Sequence, residues 1–115
     1  MTQALVIVTG ASSGIGAAIA QRFAALGHPL LLLARRLDRL EALGLPDCLC
    51  REMDITDRAA VAAAVAEAES RFGPADLIVN NAGQMLLGQL ATQDPQEWDR
   101  MLDVNVKGVL NGIHA

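Results

Sequence analysis

Apolar residues along this chain follow two different spacings. Ala4 to Thr9 and Pro29 to Ala34 are uninterrupted apolar runs, the pattern of strands buried on both faces. Elsewhere apolar positions recur every three or four residues. Ile15, Ile19, Phe23 and Leu26 form one such row, which predicts a helix from Gly14 to Leu26 with Gly27 as its stop. Leu37, Leu40 and Leu43 predict a short helix ending near Gly44, and Cys48 to Met53 reads as a third strand. Asp57 stands where an N-cap belongs, ahead of a stripe of Val61, Val65, Ala68 and Phe72 that stops at Gly73-Pro74. Asp76 to Asn80 reads as a fourth strand. Asp94-Pro95 opens the last helix, with Glu97 close behind and Trp98, Leu102 and Val109 as its apolar row.

The order is βαβαβαβα, with no linker or low-complexity stretch inside the 115 residues. Strands alternating with helices predict an α/β domain over residues 1–115. Its sheet is parallel and doubly wound, in strand order 3-2-1-4, with helices on both faces. Composition agrees with a packed core: 52% of residues are hydrophobic and only 3% aromatic. The net charge of −4, without a basic stripe, argues against nucleic acid as a partner. No apolar run approaches the ~18 residues of a membrane span, and the first residues lack a basic targeting region, so a cytoplasmic location is expected. Cys48 and Cys50 are expected as reduced strand thiols with side chains on opposite faces. His28 and His114 are isolated, and no metal-ligand spacing is present.

The candidate chemistry begins at Gly10-Ala11-Ser12-Ser13-Gly14-Ile15-Gly16, between the first strand and the first helix. A helix N-terminus offers free N–H groups and a favourable dipole to a pyrophosphate. Glycine lets backbone approach the phosphate, Gly16 lets the helix pack close to the sheet, and Ser12 and Ser13 add hydroxyl donors. This is the Rossmann-type arrangement. The Gly-Lys-Ser/Thr of a P-loop is missing, which sets aside a phosphate hydrolase. After the second strand, Ala34 occupies the place where an acidic residue would bind both ribose hydroxyls of NAD. Arg35 and Arg36 follow, suited to a 2′-phosphate, so NADP(H) is the expected cofactor.

With these residues the chain resembles the short-chain dehydrogenase/reductase family along its whole length. Thr9 to Gly16 is similar to the family's TGxxxGxG loop, Asp54 to its adenine-side aspartate, Asn80-Asn81-Ala82-Gly83 to its NNAG motif, and Asn105-Val106-Lys107-Gly108 to the segment carrying its helix asparagine. The resemblance implies that the Asp54 carboxylate and the Ile55 backbone contact adenine. It implies that Asn81, Ala82 and Gly83 lie beside the ribose, that Asn80 braces the central strands, and that Gln84 to Thr92 border the substrate cleft. Asn105, a polar residue within an apolar row, is read as a buried amide; the resemblance implies that it helps a water join a proton relay to the catalytic lysine, and it is the one catalytic candidate. The family's catalytic serine and Tyr-x-x-x-Lys pair are not matched. The chain has no tyrosine, and its only lysine is Lys107, next to the asparagine segment. Because the last helix is also unfinished at Ala115, those groups are expected beyond it, in a longer single-domain enzyme. The implied activity is NADP(H)-dependent, reversible hydride transfer with a carbonyl or secondary alcohol substrate. The complete enzyme is expected to be a homo-oligomer, dimer or tetramer. The alternative is a non-catalytic dinucleotide-binding module.

Overall fold

Four short strands occupy the four apolar stretches in the computed structural model, which describes residues 3–12, 14–82 and 94–114. They are β1 (Leu5–Thr9), β2 (Leu30–Ala34), β3 (Cys48–Glu52) and β4 (Ala75–Val79). All pair in parallel, in the order β3-β2-β1-β4. Val6 stands opposite Leu30, and Leu32 opposite Cys50. Every residue of β1 and β2 is buried, which is why neither strand alternates in polarity.

Helices cover both faces, because successive strand residues point to opposite sides. Leu5, Ile7, Leu31, Leu33 and Leu49 pack against α3 (Arg58–Phe72), through its Val61, Ala64, Val65 and Ala68. Val6, Val8, Leu30 and Leu32 pack against Ala20, Ile19 and Phe23 of α1 (Gly14–Ala25) and Leu40 of α2 (Leu37–Ala42). The expected punctuation holds: the Asp57 side chain accepts from the Ala60 N–H, Gly73 ends α3, and the Asp94 side chain accepts from the Gln96 N–H ahead of Pro95.

Three packing expectations need correction. In α1 the buried residues are Gly16 and Ala20, whereas Ile15 is 72% exposed and Leu26 52%. Small side chains bring the helix backbone down onto the sheet, and the large ones at its two ends fall outside that contact. The last helix is not one continuous α-helix. It runs as α4 (Pro95–Leu102), a π-helical turn (Asp103–Lys107) and α5 (Gly108–His114). The wider turn rotates the faces on either side of it relative to a 3.6-residue period. Leu102 is therefore exposed, and Val104, Gly108, Asn111 and Gly112 are buried. The side chain of Trp98 lies outside the described residues. Finally, Cys48 and Cys50 share a face of β3, because residues two apart in a strand point the same way. Their half-buried sulfurs are 3.6 Å apart, within reach of a thiol hydrogen bond, and form no disulfide. Burial, with the second sulfur beside it, pushes the Cys48 thiol up to about 12.

Candidate functional site

Parallel strands bring all four carboxyl ends to one edge of the sheet, and the loops leaving them enclose a cavity of about 400 Å³. Its wall takes Thr9, Gly10 and Ser12 from the first loop, Ala34 and Arg35 from the second, Met53 to Ile55 from the third, and Asn81 and Ala82 from the fourth. Arg100 and Val104 close it from the last helical segment.

The glycine loop is fixed from beneath by a hydrogen-bond knot around Thr9. Its hydroxyl, 1% exposed as a residue, accepts from the N–H groups of Asn81 and Ala82, each at 3.0 Å, and donates to the Val79 carbonyl at 3.4 Å. The Asn81 side-chain amide donates to the Gly10 carbonyl at 3.1 Å, so the asparagine works as a brace between two loops as well as lining the cavity. Gly14 sits at φ 59°, and the space a Cβ would occupy there is open, as the approach of an anion requires. At Gly16 a Cβ would run into the Gly10 carbonyl and the Asn81 amide. Its close contact is thus with the loop itself and the end of β4. Ile15 points to solvent at the start of α1. Ser13, Gly83 and the stretch Gln84 to Thr92 lie outside the described residues.

The two arginines after β2 diverge. Arg35 is part of the cavity wall; Arg36 is the N-cap residue of α2, makes a 3.3 Å ion pair with Asp38, and is not part of the wall. Ala34, 7% exposed, puts no charge beside them.

Asp54 is held on three sides. Oδ1 accepts from the Thr56 N–H at 3.0 Å and the Thr56 hydroxyl at 2.7 Å, and Oδ2 pairs with an Arg100 guanidinium nitrogen at 2.9 Å. Burial alone would raise this carboxyl, but the Thr56 bonds and Arg100 outweigh it and bring Asp54 down to about 2. Ile55 is buried, with its side chain under Gly108 and its carbonyl accepting from the Asn111 amide at 3.0 Å.

Asn105 is not the buried amide of its helix. It lies exposed in the π-helical turn and is not in the cavity wall. The buried amide is Asn111, 3% exposed, which bonds Ile55 on one side and accepts from Arg58 Nε at 3.0 Å on the other. Asn80 has a buried Oδ1 without a partner among the described residues, close to Gly112. Arg100 and Asn111 carry no motif of their own. The helical spacing of Arg100, Val104 and Gly108 was the available signal, since it puts an arginine on the face that meets the third loop. Among the described residues there is no group of metal-ligating side chains, and no helix long and apolar enough to cross a membrane.

Comparison with known proteins agrees with this geometry. The profile of the family described as short chain dehydrogenase matches residues 4–115. Among curated relatives, the chain is 44% identical over 114 residues to the glycine betaine reductase ATRR of Emericella nidulans, covering 93% of this chain and 9% of that one. It is 43% identical over 116 residues to a sulfoacetaldehyde reductase of Chromohalobacter salexigens, covering 96% of this chain and 46% of that one. Among solved structures, it superposes with a TM-score of 0.89 on a 3-ketoacyl-(acyl-carrier-protein) reductase of Brucella melitensis complexed with NADH, at 32% identity, covering 98% of this chain and 48% of that one. A serine dehydrogenase in a closed form complexed with NADP+ gives a TM-score of 0.88 at 31% identity, covering 96% of this chain and 46% of that one. Apart from the much longer fungal reductase, these relatives are about twice as long as this chain.

Proposed function

The chain belongs to the short chain dehydrogenase family, and we propose that it holds NADP(H) for reversible hydride transfer with a carbonyl or secondary alcohol substrate. When bound, the nicotinamide supplies the hydride chemistry. The residues present fit the cofactor: an open place at Gly14, Ser12 of the glycine loop in the cavity wall, and the Asp54 carboxylate, its pKa held low, in the same wall. In this reading the N–H groups of the glycine loop past Ala11, with the Ser12 and Ser13 hydroxyls, bind the pyrophosphate, those of Gly10 and Ala11 being held by the Leu33 carbonyl. Asp54 and Ile55 take the adenine, and Asn81, Ala82 and Gly83 flank the ribose.

The observation that carries the choice of NADP(H) is Arg35. It is part of the cavity wall next to Ala34, a position that leaves the 2′-oxygen without an acidic partner. An arginine fork suits a phosphate dianion, and a charge-assisted hydrogen bond is worth about 1.5–3 kcal/mol. Arg35→Ala is expected to weaken NADPH binding by about ten- to a hundredfold and leave NADH binding nearly unchanged. Arg36→Ala, already paired with Asp38 outside the wall, has the smaller effect. Parallel calorimetric titrations at fixed salt check this; a wild type that prefers NADH, or an Arg35→Ala variant that loses both cofactors equally, rejects it.

The remaining equipment is proposed by kinship. The catalytic serine and Tyr-x-x-x-Lys pair belong to the part of the protein that the relatives have and this chain does not span. In the complete enzyme Asn105 holds a water of the proton relay, its exposed position at the π-helical turn leaving it open to that part. A homo-oligomer in the cytoplasm, with no nucleic acid or membrane partner, completes the proposal. The sulfoacetaldehyde reductase among the relatives supports a carbonyl substrate.

A further inference from the structure

One face of the last helical segment lies along the third loop. Arg100 and Val104 line the cavity beside Asp54, Gly108 sits against the Ile55 side chain, and Asn111 bonds the Ile55 carbonyl. Arg100 is the first of these and the one with charge. Its guanidinium is 2.9 Å from Asp54 Oδ2, and both side chains keep access to the cavity, at 29% and 37% exposure.

Count the acceptor positions of that carboxylate. Oδ1 spends its capacity on the N–H and hydroxyl of Thr56. Oδ2 gives one position to Arg100 and keeps one. Thr56 fixes the near oxygen and Arg100 the far one, so the carboxylate plane cannot swing. The remaining Oδ2 position is an acceptor set in the cavity wall. Such an acceptor bonds an amino group and repels a carbonyl oxygen.

Resting on the NADP(H) reading, we propose that Arg100 is a positioning residue for base recognition: it holds the Asp54 carboxylate so that its free Oδ2 position selects a base with an exocyclic amino group, adenine, over one with a carbonyl there. Arg100 acts through Asp54. Its removal therefore costs discrimination between bases more than it costs grip on the dinucleotide.

The test uses the full-length protein and three probes: NADPH, its hypoxanthine analogue, in which the amino group is replaced by a carbonyl, and reduced nicotinamide mononucleotide, which has no base at that end. Wild type is expected to bind NADPH at least about tenfold tighter than the hypoxanthine analogue, the worth of one charge-assisted hydrogen bond. Arg100→Met should bring that ratio to within about threefold of unity, with mononucleotide binding unchanged, and Arg100→Lys should recover part of it. Asp54→Asn should also abolish the ratio, and the double variant should lose no more, because the two residues act as one unit. If Arg100→Met does not fold by circular dichroism, Arg100→Ala, which also removes both donor and charge, carries the same expectation. An unchanged ratio in the folded variant overturns the proposal, as does an equal loss of both dinucleotides. A wild type that binds both bases alike overturns it while leaving the cofactor reading standing. A wild type that binds NADPH no tighter than the mononucleotide rejects the cofactor reading itself.

Discussion

Two glycines of the loop after β1 sit in different surroundings, and single substitutions separate them. At Gly16 an added methyl meets the Gly10 carbonyl and the Asn81 amide, neither of which can yield without opening the knot on Thr9. Overpacking of this kind costs about 1–3 kcal/mol. At Gly14 an added methyl meets no neighbour; it is strained by the left-handed φ of 59°, a cost of about 1–2 kcal/mol, and it fills the approach to the helix N-terminus. Gly16→Ala should therefore lower the thermal midpoint more, and Gly14→Ala should lose more dinucleotide affinity, by about tenfold or more. Thermal unfolding and calorimetry on the pair check this; the opposite ranking rejects the division of labour. Asp54 gives a second residue-scale outcome, in pH. Its folded carboxyl sits near 2, below its ordinary 3.8, so its stabilising contribution is complete above about pH 4 and is lost as pH falls towards 2. The stability gap between wild type and Asp54→Asn should be widest near neutrality and close on acidification, in denaturant titrations at a series of pH values. A gap that persists near pH 2 removes the ionised carboxylate from the account. That Gly10, Arg35 and Asp54 stand in the cavity wall was legible in the sequence, because each follows closely on the end of a strand. Arg100 was not, since its partner lies in another loop.

At the scale of elements, strands and caps followed from local rules, whereas the last helix did not. A 3.6-residue row through Leu102 and Val109 assumed one continuous helix, and the π-helical turn between Asp103 and Lys107 changes which residues face inward. That is why Asn105 lies outside and Asn111 takes the buried amide position. The amide joins three elements: its NH2 reaches Ile55 after β3, 56 residues away in sequence, and its oxygen receives Arg58 at the start of α3. No periodicity encodes such a contact. Replacing it by Leu, which keeps the branched skeleton without the polar atoms, strips a partner from the Ile55 carbonyl and from Arg58, and a buried polar group left unpaired costs about 1–3 kcal/mol. Asn111→Leu should lower the thermal midpoint by several degrees, at roughly 2–4 °C per kcal/mol for a protein of about 150–250 residues. It should also weaken NADPH binding, because the Ile55 loop is proposed to take the adenine. A variant as stable as wild type would mean that the amide is dispensable to the docking of α5.

At the scale of the whole molecule, burial is uneven across the sheet. β1 and β2 are closed on both faces, whereas Leu77 of β4 is 44% exposed. Along the last helical segment Leu102, Val106, Leu110 and Ile113 are 59%, 49%, 57% and 65% exposed, three or four residues apart. Scattered exposed apolar residues are ordinary, but a row of four on one helical segment is a surface that water does not favour. Between β4 and α5, close to Gly112, the buried Asn80 Oδ1 has no partner among the described residues. Relatives of about twice this length have as much chain again with which to cover such a side. The 115-residue segment expressed alone should accordingly bind a hydrophobic dye such as ANS and self-associate, and the full-length protein at equal concentration should bind far less dye. Leu110→Glu together with Ile113→Glu should relieve association in the segment, since charge on that row opposes apolar contact. In the full-length protein the same pair should destabilise the fold or its assembly. Sedimentation and dye titration separate the cases: a segment that stays monomeric and dye-free would mean that the row is an ordinary solvated face, and that β4 needs no cover.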